Sequence, residues 1–199
     1  MTEATGKRLY GRTPGVHLSA KGRAQADALA ERLAGLPIRA VYSSPLERCR
    51  ETAAPIARAL GVAIRTEAGF VETDMGDWTG RTFPQIRRSR LWHAILRLPS
   101  SGRFPGGESL AEVQARTIRA AGEVASRHGG QAAVVVSHGD PIRLALAHYA
   151  GIHLDHFQRL EVVPASVSAV AIGQHAPRVL LLNDTGDLSD LLPRRTSRR

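Results

Sequence analysis

The fold of this chain is decided by a short segment in its second half, which reads Val134-Val135-Val136-Ser137-His138-Gly139-Asp140-Pro141. The valines follow two alanines, and such a continuous apolar run is typical of a strand buried on both faces of a parallel sheet. A histidine and a glycine come directly after the run, and Pro141 suits the first turn of a helix over 141–150. The segment therefore predicts a strand that ends at the ligand-binding edge of an α/β sheet and passes into a helix.

A second unit of the same kind lies upstream. Residues 38–44 form a short apolar run that predicts a strand, and residues 46–60 predict a helix that follows it. Arg48 would lie on the first turn of that helix, facing the end of the strand. Its planar guanidinium matches phosphate oxygens in a way that a lysine does not. The alternative, a surface arginine paired with Glu51 or Glu47, stays open at this point.

The loop between the two units reads Glu72-Thr73-Asp74-Met75-Gly76-Asp77-Trp78-Thr79-Gly80. Glu72 is a candidate proton donor, because a leaving group departs poorly without protonation. A positioned carboxylic acid supplies roughly 10²–10⁴-fold in rate for such a step. Asp74 and Asp77 are rivals for this role, and either side chain could instead cap a turn.

The order of the remaining elements predicts the architecture. Periodicity and turn residues predict helices over 19–34, 83–98 and 109–128, and strands over 62–65, 158–172 and 178–182. This alternation favours an α/β fold, a three-layer sandwich with a mostly parallel central sheet and helices on both faces. We expect one domain over 1–192, followed by a basic, disordered tail over 193–199.

Composition limits the classes of function. The chain has 43% hydrophobic and 23% charged residues, as soluble globular proteins do. No apolar run approaches the roughly 20 residues that span a bilayer, so no membrane partner is expected. A single cysteine, Cys49, favours a reducing cytoplasmic location. The net charge of +9 suits small phosphorylated substrates, whereas the 5% aromatic content argues against nucleic acid.

Together the three segments resemble the histidine phosphatase superfamily, also called phosphoglycerate mutase-like. The most specific part is the string Ser43-Ser44-Pro45-Leu46-x-Arg48-x-x-x-Thr52-Ala53, and the resemblance covers nearly the whole chain. It is strongest to phosphomutases of high-GC actinobacteria. The resemblance implies a phosphohistidine intermediate, with Arg48 and His138 holding the phosphoryl oxygens, Glu72 as the acid, and neither metal nor cofactor. The implied substrate contacts are Thr2, Tyr10, Gly11 and Gly139.

In that family the first strand ends in an Arg-His-Gly triplet, and the histidine of this triplet is the nucleophile. The start of this sequence has no match to that strand and triplet. The run Met1-Thr2-Glu3-Ala4-Thr5 resembles the family segment directly after the triplet, whereas Arg127-His128-Gly129 spells the triplet at the end of a helix. We therefore expect an N-terminal truncation that removes the first strand and leaves an open sheet edge beside 134–137. The alternatives are an inactive pseudoenzyme that keeps the phosphate pocket, and a basic polyanion-binding protein.

The short excursion between Glu72 and His138 favours a phosphatase over a mutase. A short cap retains a released intermediate poorly, so water can take the phosphoryl group. The oligomeric state and the particular phosphate ester are not readable from the sequence.

Overall fold

A computed structural model describes residues 1–3 and 5–186 of the chain. The predicted tail over 193–199 lies outside the described residues. The strands among the described residues lie in two sheets. A parallel sheet of order β2-β1-β3 contains β1 (Ile38–Ser43), β2 (Ile64–Thr66) and β3 (Ala132–Val136), and an antiparallel pair contains β4 (Val167–Ala171) and β5 (Arg178–Asp184).

The α-helices that connect and cover these strands are α1 (Ala20–Leu33), α2 (Glu47–Leu60), α3 (Phe83–Ile86), α4 (Arg90–Arg97), α5 (Leu110–His128) and α6 (Gly139–Tyr149). The Ser19 side chain accepts a hydrogen bond from the Gly22 N–H and so begins α1. Gly61 ends α2 with a positive φ of 66°. Within the described ranges, no helix is both long and apolar enough to cross a membrane.

The parallel sheet has helices on both faces. On one face α1 and α2 pack against β1 through a cluster that includes Leu29, Val41 and Ile56. On the other face α5 packs against the same strand through Tyr42 and Val124. The predicted three-layer α/β architecture is therefore confirmed.

The predicted helix over 83–98 is divided into α3 and α4. Ile86 and Ile95 are both buried, and nine residues of one straight helix would place them on opposite sides. The turn between the two helices lets both isoleucines enter the same core cluster. The single-helix prediction was wrong because it ignored this phase difference.

The predicted strand over 158–172 is wrong in its first half. Leu154–Arg159 form a 3₁₀ helix, and β4 begins only at Val167. Pro164 has no N–H to donate to a sheet, and Ala165 adopts a positive φ of 65°. The chain therefore turns before it enters the sheet.

An open edge separates the two sheets. In the part of the chain that the structure describes, β3 pairs only with β1, and β4 pairs only with β5. Val134 of β3 and Val167 of β4 nevertheless pack against the same α1–α2 cluster. Among residues 1–3 and 5–9, the structure shows only isolated bridges, Thr2 to Leu18 and Arg8 to Thr82, and not a strand that fills the space. The predicted open edge beside β3 is therefore present.

Candidate active site

Three distant segments meet where β1 and β3 end. Arg48 lies on the first turn of α2, and His138 follows β3 directly. The acid loop, residues 69–78, is tied to the end of β3 because Ser137 Oγ donates to the Phe70 carbonyl at 2.8 Å. Glu72 Oε2 consequently lies 3.8 Å from His138 Nδ1. The sequence-predicted residues Arg48, Glu72 and His138 are thus brought together, although their chemical roles stay predictions.

Arg48 and Glu72 line a cavity of about 160 Å³, called here the phosphate cavity. Arg48 Nη2 donates to the Gly11 carbonyl at 2.9 Å. Its Nη1 is buried, and no described residue accepts a hydrogen bond from it. A buried charged donor without a partner is strongly unfavourable, so an anionic oxygen in the cavity would stabilise it.

The surface pairing considered for Arg48 is not what the structure shows. The Glu51 carboxylate is occupied by the His17 ring and by the Leu18 N–H. Glu47 accepts a hydrogen bond from the Gly15 N–H at 3.2 Å. Both carboxylates are engaged by the loop before α1, and this leaves the Arg48 guanidinium directed toward the cavity.

His138 lies behind the phosphate cavity and does not line it. Its side chain is buried, and Nε2 is 2.8 Å from Ser44 Oγ. Burial, together with the nearby Arg48 and Arg116 guanidinium groups, holds the pKa of His138 well below its ordinary value. The imidazole is therefore neutral at physiological pH. As it stands, this ring is a hydrogen-bonding group rather than a charged one.

Cys49 contacts the same ring, with Sγ 3.4 Å from His138 Nε2. Burial raises the pKa of the Cys49 thiol to about 12. A thiol with that pKa stays protonated and unreactive at neutral pH. Cys49 therefore acts as a packing residue beside His138.

Glu72 is held in a form that can give up a proton near neutral pH. Burial in the first place, and then the nearby Asp140 carboxylate, raise the pKa of Glu72 to about 7. A general acid needs a pKa close to the working pH. Asp74, one of the rivals, accepts a hydrogen bond from Gly76 N–H and so caps a turn, and Asp77 is exposed.

Arg116 holds the acid loop from the centre of α5. Its Nη1 donates to the carbonyls of Gly69 and Val71 at 2.9 and 2.8 Å, and its Nη2 donates to the Glu72 carbonyl at 3.1 Å. Its Nε also pairs with the Glu108 carboxylate at 2.9 Å. One guanidinium thus fixes the backbone on both sides of the candidate acid.

Arg12 completes this clamp from the other side. Its Nε donates to the Glu72 carbonyl at 2.9 Å, and its Nη2 lies 2.8 Å from Glu108 Oε2. Glu108 Oε2 in turn accepts a hydrogen bond from the Asp74 N–H. The two arginines and Glu108 therefore hold the acid loop as one hydrogen-bonded unit.

Sequence reasoning missed Arg116, although the sequence contains a signal for it. The residue lies three positions after Val113 and four before Ala120, both of which are buried on α5. An arginine at that spacing lies next to the apolar stripe of the helix, where a charged group needs partners.

The predicted substrate contacts are only partly assembled at the cavity. Thr2, Tyr10 and Gly11 line the phosphate cavity, whereas Gly139 does not and instead begins α6. No histidine is among the described residues that line this cavity. Among residues 1–3 and 5–186, no group of histidine, cysteine and carboxylate side chains is arranged to hold a metal ion.

An arginine with an unpartnered nitrogen and a glutamate with a pKa of about 7 thus meet at the ends of two parallel strands of an α/β protein. The chain belongs to the histidine phosphatase superfamily (branch 1), whose sequence model matches residues 1–185. It is 34% identical over 178 residues to phosphoserine phosphatase 1 of Hydrogenobacter thermophilus, covering 87% of this chain and 83% of that protein. The predicted family is therefore confirmed.

Two solved structures are similar in fold. YhfR of Bacillus stearothermophilus superposes with a TM-score of 0.87 at 25% identity and covers 93% of each chain. The mycobacterial glucosyl-3-phosphoglycerate phosphatase Rv2419c, in a complex with VO3, superposes with a TM-score of 0.84 at 26% identity. That alignment covers 93% of this chain and 95% of the phosphatase.

Proposed function

We propose that this chain forms the phosphate-binding framework of a phosphomonoester phosphatase that works through a phosphohistidine intermediate. The observation that carries the proposal is the Nη1 of Arg48, which is buried and has no partner among the described residues, in a side chain that lines the same cavity as Glu72. The match to the histidine phosphatase superfamily and the similarity to phosphoserine phosphatase 1 support it. We take residues 1–192 as one domain, and a cytoplasmic location remains a prediction from the single cysteine.

In the proposed reaction a histidine nitrogen attacks phosphorus and the ester P–O bond breaks. Glu72 gives its proton to the departing oxygen, so the alcohol leaves neutral. Arg48 holds a phosphoryl oxygen throughout, and the neutral His138, which does not line the cavity, supports the site through its contacts with Ser44 and Glu72. Water then attacks the phosphohistidine as the Glu72 carboxylate takes a proton from it. The P–N bond breaks, and this frees the histidine and releases inorganic phosphate. A second alcohol in place of that water would make the protein a mutase.

We further propose that the nucleophilic histidine comes on a strand outside residues 1–199, and that this strand fits between β3 and β4. Both strands have a free edge in the described part of the chain, and both pack against the same α1–α2 cluster. A parallel strand in that space would end beside His138. The alternative is a pseudoenzyme whose sheet stays open and which binds phosphate without turnover.

The first test is calorimetric titration with inorganic phosphate. We expect the wild-type chain to bind phosphate and Arg48→Met to bind it at least about tenfold more weakly, because a charged hydrogen bond is lost. Arg58→Met is the matched control, since Arg58 is an exposed arginine at the end of the same helix. Equal affinity in wild type and Arg48→Met would contradict the proposed phosphate site.

The second test concerns turnover. The chain of 199 residues should not hydrolyse p-nitrophenyl phosphate above background, whereas a form extended at the N-terminus by an apolar strand ending in Arg-His should. A stop codon immediately upstream of Met1 in the same frame would favour the pseudoenzyme. Binding of DNA that falls steeply with salt and survives His138→Asn would favour the polyanion-binding alternative.

A further inference from the structure

A second cavity adjoins the phosphate cavity. It encloses about 360 Å³, and Leu9 and Met75 line both spaces, so the two cavities meet at these side chains. The rest of its wall is mostly apolar and includes the aromatic rings of Phe83, Trp92 and Phe104. This volume and this lining are typical of small-molecule sites, which are largely apolar with a few polar groups.

Two polar side chains of α6, Asp140 and Arg143, also line the larger cavity. Arg143 Nη1 lies 3.4 Å from Asp140 Oδ1, which is long for a charged hydrogen bond. Arg143 Nε is buried and finds no acceptor among the residues that the structure describes. Burial also raises the pKa of the Asp140 carboxyl. Arg143 therefore has a donor free for an acceptor group on a ligand.

The larger cavity lies on the side from which a leaving group would depart. Glu72 would protonate the departing oxygen, and the Asp140 carboxylate is near enough to Glu72 to raise its pKa. Met75, between the two spaces, has three rotatable side-chain bonds and adapts readily to an irregular ligand. A phosphoryl group beside Arg48 would thus direct its alcohol past Leu9 and Met75 into the larger cavity.

We infer that the larger cavity binds the alcohol part of the substrate, and that this alcohol has an apolar, ring-sized body and carries a carboxylate that Arg143 binds. The substrate class is then a phosphomonoester of an apolar hydroxy acid. Only the placement of the phosphoryl group rests on the proposed function. The apolar wall and the unpartnered Arg143 nitrogen are independent of it.

The test compares four probes by calorimetry on the chain of 199 residues: inorganic phosphate, phenyl phosphate, 4-carboxyphenyl phosphate and benzoate. Burial of the phenyl ring should tighten binding at least about tenfold over phosphate. The added carboxylate should tighten it by about a further tenfold. Arg143→Met should remove the gain in affinity from the carboxylate and keep the gain from the phenyl ring. Arg58→Met, an exposed arginine that lines neither cavity, should keep both.

Trp92 supplies a readout of where the ring binds, because its indole lines the larger cavity. Phenyl phosphate should change the tryptophan emission, and Trp92→Phe should abolish that change. Thermal unfolding of each variant shows whether the fold is intact. If Arg143→Met does not fold, Arg143→Lys replaces it as the variant that keeps the positive charge.

The possible outcomes separate the two proposals. If phosphate binds through Arg48 but phenyl phosphate binds no more tightly, the inference about the larger cavity is overturned and the proposed function stands. If benzoate binds in an Arg143-dependent manner but phosphate does not bind, the larger cavity is supported and the proposed function fails. A carboxylate gain that survives both Arg143 variants would overturn the assignment of Arg143.

Discussion

The neighbouring strands β1 and β3 have similar roles and very different surroundings. Each ends beside a candidate site residue, Arg48 after β1 and His138 after β3. However, β1 has a partner on both sides and is buried at five of its six positions. In contrast, β3 is entirely apolar, has one described partner, and leaves Val135 37% exposed.

The contrast indicates which half of the site is complete. A run of alanine and valine is typical of a strand that is buried on both faces inside a parallel sheet, because such a strand has no polar face for water. The surroundings of β1 satisfy its sequence, whereas those of β3 do not. The same holds for β4, whose five residues are all half-buried. This mismatch supports the proposal that a further strand fits between β3 and β4.

The largest expected effect concerns the acid loop, which joins the two strand ends. Just before the loop, the Glu67 N–H donates to the Ser43 carbonyl at the end of β1. Within the loop, the Phe70 carbonyl accepts a hydrogen bond from Ser137 Oγ, directly after β3. Arg116→Met should destabilise the fold by about 3–5 kcal/mol, because Glu108 Oε1 and the carbonyls of Gly69 and Val71 lose the donor that Arg116 supplies, although Arg12 still pairs with Glu108 Oε2. Urea denaturation measures this change.

The matched control for that variant is Arg119→Met, three residues further along α5 on its exposed side. It should change stability by no more than about 0.5 kcal/mol. If the two variants behave alike, the loop does not depend on the clamp. In that case the ends of β1 and β3 are held together by the sheet alone.

The second prediction compares the two strands directly. Val41 of β1 is fully buried, and Val41→Ala should destabilise the fold by about 2–3 kcal/mol through lost contacts and a cavity. Val135→Ala in β3 should cost less than about 1 kcal/mol, because water already reaches this side chain. Equal losses in thermal or urea unfolding would contradict the open edge. In a form that supplies the missing strand, the effect of Val135→Ala should rise toward that of Val41→Ala.

The parts that could be predicted from the sequence are those that depend on local pattern. Hydrophobic periodicity and the residues typical of helix ends predicted α1, α2, α5 and both strand-helix units. The sequence motifs predicted Arg48, Glu72 and His138 as site residues. The division of 83–98 into two helices depends on the core that Ile86 and Ile95 share, which a local window does not contain. The clamp formed by Arg116, Arg12 and Glu108 joins three separate segments. Its partners follow only from the tertiary fold.

The third prediction concerns the two titratable groups between the strands. The pKa of Glu72 is raised from 4.5 to about 7, so its contribution to stability is fully present below pH 4.5 and is lost as the pH rises through 7. Relative to Glu72→Gln, the wild type should therefore lose up to about 2 kcal/mol of stability between about pH 4.5 and 8. Urea denaturation at several pH values measures the difference between the two proteins.

His138 acts in the opposite direction, and the comparison with Glu72→Gln separates the two groups. The pKa of His138 is lowered from 6.5, so its contribution is present above that pH and is lost as the pH falls. This loss occurs in both the wild type and Glu72→Gln, so it largely cancels when the free energies of unfolding of the two proteins are subtracted. A difference that does not vary with pH would contradict the raised pKa of Glu72.

The smallest expected effect concerns the hydrogen bond that links the ends of the two strands. Ser44, just after β1, accepts the Leu46 N–H, so its own proton is free to be donated to His138 Nε2. That arrangement leaves the imidazole proton on Nδ1, which points toward Glu72. Ser44→Ala should therefore lower stability by only about 1 kcal/mol and move the ring proton toward Nε2.

The ¹⁵N chemical shifts of the imidazole nitrogens report this change of tautomer directly. Ser43→Ala is the matched control, because Ser43 is an equally buried neighbour whose hydroxyl donates to the Ser44 carbonyl and does not contact the ring. Its variant should keep the proton on Nδ1. If Ser44→Ala also keeps it there, the tautomer is set on the β3 side of the site. The half that contains β1 would then supply the phosphate-binding arginine without orienting the histidine.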